Sequence, residues 1–233
     1  MIGFYDYTMI LTYLSLLSAS TGIVVTLSGS GRPYFGCFFL LFCGLCDAFD
    51  GKVARTKKDR SKMEQNFGIQ IDSLSDVVAF GVLPACIGAA LIRTSPALAV
   101  AFEECTAQWQ INLGKFFIHA VLVLYSLAAT IRLAYFNVTE EERQAKEDGV
   151  RKYYVGLPVT AASLIFPFVM LVQYILPADI TLVYIGAALI TGFLFLSRFQ
   201  VRKPGLRGIL IMVAVGAVEF LLLSFWKVLS QWL

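Results

Sequence analysis

The chain has 233 residues, of which 58% are hydrophobic and only 15% are charged. A soluble domain carries about 25% charged residues, so this composition, with a mean hydropathy of +0.74, excludes a soluble globular domain. The net charge of +3 is small, and no nucleic-acid partner is expected. The composition therefore predicts an integral membrane protein.

Seven apolar segments follow one another along the chain. A helix crosses the hydrocarbon core with about 20 residues, and each segment reaches or approaches that length. In chain order, the segments are Thr8–Ser28, Pro33–Arg55, Gly68–Ile92, Leu113–Asn137, Pro158–Leu176, Ile180–Ser197 and Gly208–Trp226. We expect an all-α, polytopic bundle of about seven transmembrane helices that forms a single domain over residues 1–233. No Lys or Arg precedes Arg32, so the first segment is expected to be a retained helix and not a signal peptide.

Basic residues are distributed unequally between the two sets of loops. If the loop after the second segment is cytoplasmic, fourteen Lys and Arg residues lie inside and four, Arg32, Arg93, Lys115 and Lys227, lie outside. Such an excess marks the cytoplasmic side of a membrane protein. We therefore expect the N-terminus to lie on the cytoplasmic side. The expected location is a bacterial or archaeal cell membrane.

The sequence CDAFDGKVAR at residues 46–55 places two carboxylates at the end of the second apolar segment. Asp47 and Asp50 share one helical face, and Asp72 and Asp76 share one face of the third segment, because residues three or four apart lie one above the other. An isolated Asp at mid-bilayer costs roughly 2.5–3.5 kcal/mol on insertion scales. Two adjacent helices would bring the four carboxylates together near the cytoplasmic membrane edge, and this arrangement predicts a functional site.

Four carboxylates within a few ångströms of one another repel strongly unless cations lie between them. Sites made only of oxygen ligands favour hard ions such as Mg²⁺, Mn²⁺ or Ca²⁺. Two divalent ions would balance the four charges and could clamp a phosphate or pyrophosphate group. Gly51, Ala54 and Gly68, on or beside the same helical faces, leave room for such a ligand. A divalent cation transporter is the alternative, since intramembrane acids also mark ion pathways.

The order Asp47-x2-Asp50-Gly51-x2-Ala54-Arg55, followed by Gly68-x3-Asp72-x3-Asp76, resembles the signature of the CDP-alcohol phosphotransferases. Twelve residues separate Arg55 from Gly68, a longer gap than in many members. Within that family, three stretches are similar to the CDP-diacylglycerol–serine O-phosphatidyltransferases: FGIQIDSLSDVVAFGVLPA at 67–85, RLAYFNV at 132–138 and GLPVTAAS at 156–163. The resemblance covers a core of about residues 8–200 and leaves an extra C-terminal helix at about 206–228.

This resemblance implies a six-helix core, a homodimer and a reaction at the cytoplasmic membrane face. In the reaction that the resemblance implies, the hydroxyl of L-serine would attack the β-phosphorus of CDP-diacylglycerol, a membrane lipid, and give phosphatidylserine and CMP. It also implies two divalent cations, Mg²⁺ or Mn²⁺ with Ca²⁺ possible in a structure, on Asp47, Asp50 and Asp72, with Asp76 as a shared ligand and general base. Another acceptor, glycerol phosphate or inositol phosphate, is the alternative within the family.

Several further residues are candidates for substrate binding. Gly51, Ala54 and Gly68 are implied to line the cytidine pocket, and Arg55 and Thr12 are expected to contact CDP-diacylglycerol. Arg132 is expected to bind the serine carboxylate or a lipid phosphate, because its guanidinium matches both with two hydrogen bonds. The alternative for Arg132 is that its side chain only extends to the membrane surface and binds no substrate. Asn137, at the end of the same predicted helix, is a second candidate for this role.

Overall fold

The structure, a computed structural model, describes residues 3–29, 31–105, 107–144, 153–175, 178–202 and 205–229. Within these residues the α-helices are α1 (Ile10–Leu27), α2 (Pro33–Ala54), α3 (Lys62–Asp76), α4 (Leu83–Thr94), α5 (Pro96–Glu103), α6 (Gln108–Gln144), α7 (Ala162–Ile175), α8 (Thr181–Leu196) and α9 (Leu206–Leu229). A π-helix, Val77–Val82, joins α3 to α4, and a 3-10 turn, Val159–Ala161, precedes α7. Strands β1 (Tyr153–Val155) and β2 (Gln200–Arg202) form one antiparallel pair.

The prediction of an all-α membrane protein is confirmed, since each of the seven apolar segments folds as a helix. Four helical stretches are long and apolar enough to cross a membrane: Ile10–Leu27, Lys62–Thr94, Gln108–Arg143 and Leu206–Phe225. Two shorter apolar helices lie at Val159–Gln173 and Thr181–Leu196.

The predicted boundaries were wrong at two helices that matter for the site, α3 and α6. The third helix begins at Lys62, before Gly68, because Ser61 and Glu64 form a capping box at its start. Helix α6 continues past Asn137 to Gln144, since its charged C-terminal turns are helix formers that project beyond the apolar segment. Helix α5 and the strand pair were not predicted. Residue 176, the predicted end of the fifth segment, lies outside the described residues.

The connection between α2 and α3 is tied to the N-terminal segment by one lysine. Lys57 Nζ donates to Asp6 at 2.7 Å and to Glu64 at 2.8 Å. The Lys57 ammonium, helped by Thr8, lowers the pKa of Asp6 to about 2. A lowered carboxyl pKa means that the contact is present above the ordinary Asp value and is lost only as the pH falls toward 2. The loop that joins the two acidic helices is therefore held in place at neutral pH.

The continuous span of α3, the π-helix and α4 is adapted to Pro84. Proline has no N–H, so the Phe80 carbonyl loses its usual helical donor. The Tyr125 hydroxyl donates to that carbonyl at 2.6 Å, and Ser126 Oγ donates to the Gly81 carbonyl at 2.9 Å. Side chains of α6 thus satisfy the backbone of the π-helix, as buried polar groups in a membrane require. This irregular turn begins directly after Asp76.

Close helix packing at small residues holds α1, α2 and α4 together. A Cβ at Gly36 of α2 would lie 2.5 Å from Ile87 Cγ1 and would also collide with Thr26. By contrast, a Cβ at Gly186 of α8 would meet nothing within 4 Å. Packing therefore requires a glycine at position 36 and makes no such requirement at position 186, although both residues lie inside apolar helices.

We predict that Gly36→Ala destabilises the protein by about 1–3 kcal/mol, the usual cost of overpacking a core. Gly186→Ala is the matched control and is expected to be neutral or slightly stabilising, because alanine is the better helix former. Thermal unfolding in detergent, followed by size-exclusion chromatography, measures both. Equal melting temperatures for the two variants would contradict the packing described at Gly36.

Candidate active site

One cavity of about 1040 Å³ opens between α2, α3, α6, α7 and α9. Its polar end is lined by Asp47, Asp50, Gly51, Lys52, Arg55, Asp72, Asp76, Arg132, Tyr154, Thr160, Ser163 and Arg202. The rest of the wall is apolar and comes mainly from α2 and α9. A charged end joined to an apolar arm suits a ligand that is itself both charged and apolar.

The four predicted carboxylates all line the polar end of this cavity. Oxygens of Asp47, Asp50 and Asp72 lie within 4.8 Å of one another. This distance is short enough for three carboxylates to share cations, and their all-oxygen donor set matches Mg²⁺ or Mn²⁺. The residues present therefore fit a divalent metal site.

Asp76 lines the same cavity as the other three carboxylates but is not part of their mutually close group. It is not in the group within 4.8 Å, and it is 8% exposed. Helix α3 ends at Asp76, so the carboxylate sits where regular α-helix gives way to the π-helix. Wider helical turns of this kind frequently occur at functional sites.

Arg132 is buried in the cavity wall and is only 6% exposed. Its Nε donates to the Leu157 carbonyl at 3.3 Å, and its guanidinium carbon lies 5.6 Å from the centre of the Phe136 ring. Gly156, with φ +77°, makes the turn beside it, and a Cβ there would lie 3.4 Å from Arg132 Nε. This positive φ requires glycine, so the turn keeps Arg132 in position.

Two glycines of the motif lie under arginine side chains. The position of a Cβ at Gly51 is 3.4 Å from an Arg55 guanidinium nitrogen, and that of Gly68 is 2.7 Å from Arg60. The sequence did not indicate Arg60 as a residue near the site, because it lies in a charged loop of the kind that is typical of cytoplasmic segments. It also donates to the Glu64 carbonyl at 3.1 Å. Because these glycines have no side chains, the guanidinium groups of Arg55 and Arg60 lie close to the helix backbone.

The sequence reasoning also missed five polar residues that line the cavity: Lys52, Tyr154, Thr160, Ser163 and Arg202. Lys52 Nζ is buried without a hydrogen-bond partner among the described residues and lies 5.1 Å from the centre of the Phe49 ring. Tyr154 and Arg202 reach the cavity because β1 pairs with β2. The run of basic residues that begins at Lys52 could have indicated its role in the site. Short strand pairs leave no clear sequence pattern, so Tyr154 and Arg202 had no such signal.

Four predicted binding residues do not line the cavity. Thr12 is buried in α1, where its carbonyl accepts a hydrogen bond from Ser75 Oγ at 3.3 Å. Asn137 Nδ2 donates to Ser73 Oγ at 2.7 Å and so links α6 to α3. Ala54 is the last residue of α2 and is half-buried. Gly68, as described above, contacts Arg60. The structure thus joins the four Asp residues, Gly51, Arg55 and Arg132 in one cavity and leaves these others beside it.

Three known proteins show what this chain is similar to. CDP-diacylglycerol–serine O-phosphatidyltransferase of Saccharomyces cerevisiae is 31% identical over 156 residues, 63% of this chain and 48% of that protein. The protein of the same name in Helicobacter pylori strain J99 is 27% identical over 174 residues, 73% of this chain and 61% of that protein. Archaetidylserine synthase of Methanothermobacter thermautotrophicus is 36% identical over 152 residues, 65% of this chain and 53% of that protein.

The chain therefore spans only about half to three fifths of the length of the curated relatives that it matches. The sequence profile of one family, CDP-alcohol phosphatidyltransferase, matches residues 7–194. That range contains all four carboxylates, Arg132 and the glycines of the motif. The chain belongs to the CDP-alcohol phosphatidyltransferase family.

Proposed function

We propose that this protein transfers the phosphatidyl group from CDP-diacylglycerol to L-serine, giving phosphatidylserine and CMP. The observation that carries the proposal is the meeting of four carboxylates at the polar end of a cavity whose other end is apolar. A lipid nucleotide has this distribution of charge. The printed names of the relatives, two of them serine O-phosphatidyltransferases and one an archaetidylserine synthase, support serine as the acceptor.

In this proposal Asp47, Asp50 and Asp72 hold two divalent cations, Mg²⁺ or Mn²⁺, and Asp76 is a shared ligand. When bound, the cations neutralise the pyrophosphate and stabilise the charge on the departing CMP. Gly51 leaves room in the cavity for the nucleotide, and Ala54 and Gly68, beside the cavity, are proposed to complete its pocket. Arg55 and Thr12 are its further proposed contacts. The mutual approach of the first three carboxylates supports this assignment.

The serine hydroxyl is a poor nucleophile at neutral pH and needs a base. Asp76 accepts its proton while the serine oxygen bonds to the β-phosphorus and the bond from that phosphorus to the CMP oxygen breaks. Its place in the cavity wall outside the group of three mutually close carboxylates supports this role, because a carboxylate that shares less of its charge with cations is the stronger base. Arg132 binds the serine carboxylate or the lipid phosphate, and Asn137 supports the same region from α6.

The orientation, membrane and assembly also belong to the proposal. The excess of basic residues in one set of loops supports an active site facing the cytoplasm and an N-terminus inside. The protein would lie in a bacterial or archaeal cell membrane as a homodimer. The lipid nucleotide would enter sideways from the inner leaflet, because its hydrocarbon chains belong in the bilayer while its pyrophosphate reaches the carboxylates.

The first prediction concerns metal binding. Asp72→Asn should weaken Mn²⁺ binding at least about tenfold, since even the partners of metal ligands contribute roughly 10–100-fold to affinity. Titration of free Mn²⁺ by electron paramagnetic resonance measures the change. Asp59→Asn is the matched control, because Asp59 is exposed in the loop before α3. Unchanged Mn²⁺ affinity in Asp72→Asn would contradict the metal assignment.

The second prediction concerns the acceptor. With CDP-diacylglycerol and Mn²⁺ or Mg²⁺, the purified protein should release CMP when L-serine is added. Glycerol 3-phosphate and inositol phosphate should give only background release. CMP release with one of those alcohols, and not with serine, would move the protein to another branch of its family. Absence of release with any alcohol, together with Mn²⁺ flux into vesicles, would instead support the transporter.

The third prediction concerns Asp76. Asp76→Asn should lower CMP release by about 10²–10⁴-fold, the usual contribution of a general base, while binding of CDP-diacylglycerol is retained. Single-turnover CMP release and equilibrium binding of the lipid nucleotide separate the two effects, with Asp59→Asn as the control. Full activity of Asp76→Asn would rule out the proposed base.

A further inference from the structure

Helix α9 lies beyond residue 194, where the match to the family ends, yet it forms a large part of the cavity wall. The α9 residues that line the cavity are Ile209, Met212, Val213, Gly216, Ala217, Phe220 and Leu221. They recur at intervals of three, one, three, one, three and one, which places them on one face of a helix. A single face of α9 is therefore directed at the cavity along three turns.

The cavity wall beside α9 is also apolar and runs directly into the carboxylate site. It includes Phe38, Leu41, Phe42 and Leu45 of α2, on the same helix as Asp47. The nine residues from Asp47 back to Phe38 span about 14 Å at 1.5 Å per residue. Half of the hydrocarbon core of a bilayer is about 15 Å. The apolar arm thus has the depth of about one leaflet.

We propose that α9 and α2 enclose one hydrocarbon chain of the lipid nucleotide while its pyrophosphate lies at the carboxylates. This inference rests on the proposed function and assigns a substrate-binding role to the C-terminal helix. The apolar arm has no charged residue in its lining, so water gains few hydrogen bonds there. A hydrocarbon chain that is covalently joined to a charged headgroup can fill the apolar arm while the headgroup lies at the carboxylates.

Two contacts fix the face that α9 presents to the cavity. The Phe220 ring packs edge-on against Phe38 of α2, with 5.2 Å between ring centres. Glu219, next to it, is 4% exposed and so faces protein on the side of α9 that does not line the cavity. These contacts hold α9 against α2 in one rotation, and Ala217 then lies on the cavity wall.

Small residues set the width of the arm. A Cβ at Gly216 would lie 3.3 Å from Leu164 Cδ2 of α7 and 3.7 Å from Leu41 Cδ2 of α2. At this level three helices approach closely, and the small residues Gly216 and Ala217 keep bulky side chains of α9 out of the arm. Larger side chains here would obstruct a long chain without touching the carboxylate end.

The test compares Ala217→Trp with Ala214→Trp, the same substitution on the same helix at an exposed position that does not line the cavity. The full-length purified protein is assayed with Mn²⁺ and L-serine on CDP-dioleoylglycerol and on short-chain CDP-dihexanoylglycerol. Ala217→Trp should lower kcat/KM for the dioleoyl substrate about tenfold or more and leave the dihexanoyl substrate within about twofold. Ala214→Trp should leave both substrates within about twofold. Equal losses on both substrates in Ala217→Trp, or no loss on either, would overturn the proposal.

A second measurement needs no variant and separates this inference from the proposed function. CDP-diacylglycerol with a photoreactive diazirine near the end of one acyl chain is irradiated with the wild-type protein, and the labelled peptides are identified by mass spectrometry. The inference requires label within residues 206–225. Label confined to other helices would overturn it even if serine-dependent CMP release is normal. Label on α9 without serine-dependent release would retain the inference and overturn the proposed acceptor.

Discussion

Repulsion between carboxylates is the constraint on which the rest of this structure depends. Three of them, Asp47, Asp50 and Asp72, bring oxygens within 4.8 Å of one another in a chain of which only 15% of the residues are charged. Such a group is costly beside lipid and is stabilised when cations and a wet cavity share its charge. The packing of the surrounding segments must therefore hold α2 and α3 together against the repulsion between their carboxylates.

Several contacts far from the carboxylates serve this purpose. Lys57 ties the connection between α2 and α3 to Asp6, and Ser61 and Glu64 start α3 with a capping box. Tyr125 of α6 satisfies the carbonyl that Pro84 leaves without a donor, so the π-helix after Asp76 keeps its shape. The proposed function links this framework to phosphatidyl transfer from a lipid nucleotide, and the further proposal makes α9 a wall of the apolar arm.

The acidic stripes and the seven helices could be predicted from the sequence because both signals are local. Asp47 and Asp50, like Asp72 and Asp76, lie within one helical turn, and apolar length alone marks each helix. The arrangement around Arg60, Arg202 and α9 could not be predicted, since it depends on which distant segments meet. Arg60 covers Gly68 through a loop, and Arg202 reaches the cavity through a strand pair. The apolar residues of α9 show no pattern that distinguishes a cavity wall from a lipid-facing helix.

The most direct test of the central claim is anomalous diffraction from crystals of the protein grown with Mn²⁺. The account predicts two anomalous peaks at the polar end of the cavity, with oxygens of Asp47, Asp50, Asp72 and Asp76 at about 2.0–2.6 Å, within the range of hard-cation ligands. Peaks only at other acidic residues, or a polar end in which Mn²⁺ contacts none of the four carboxylates, would contradict it.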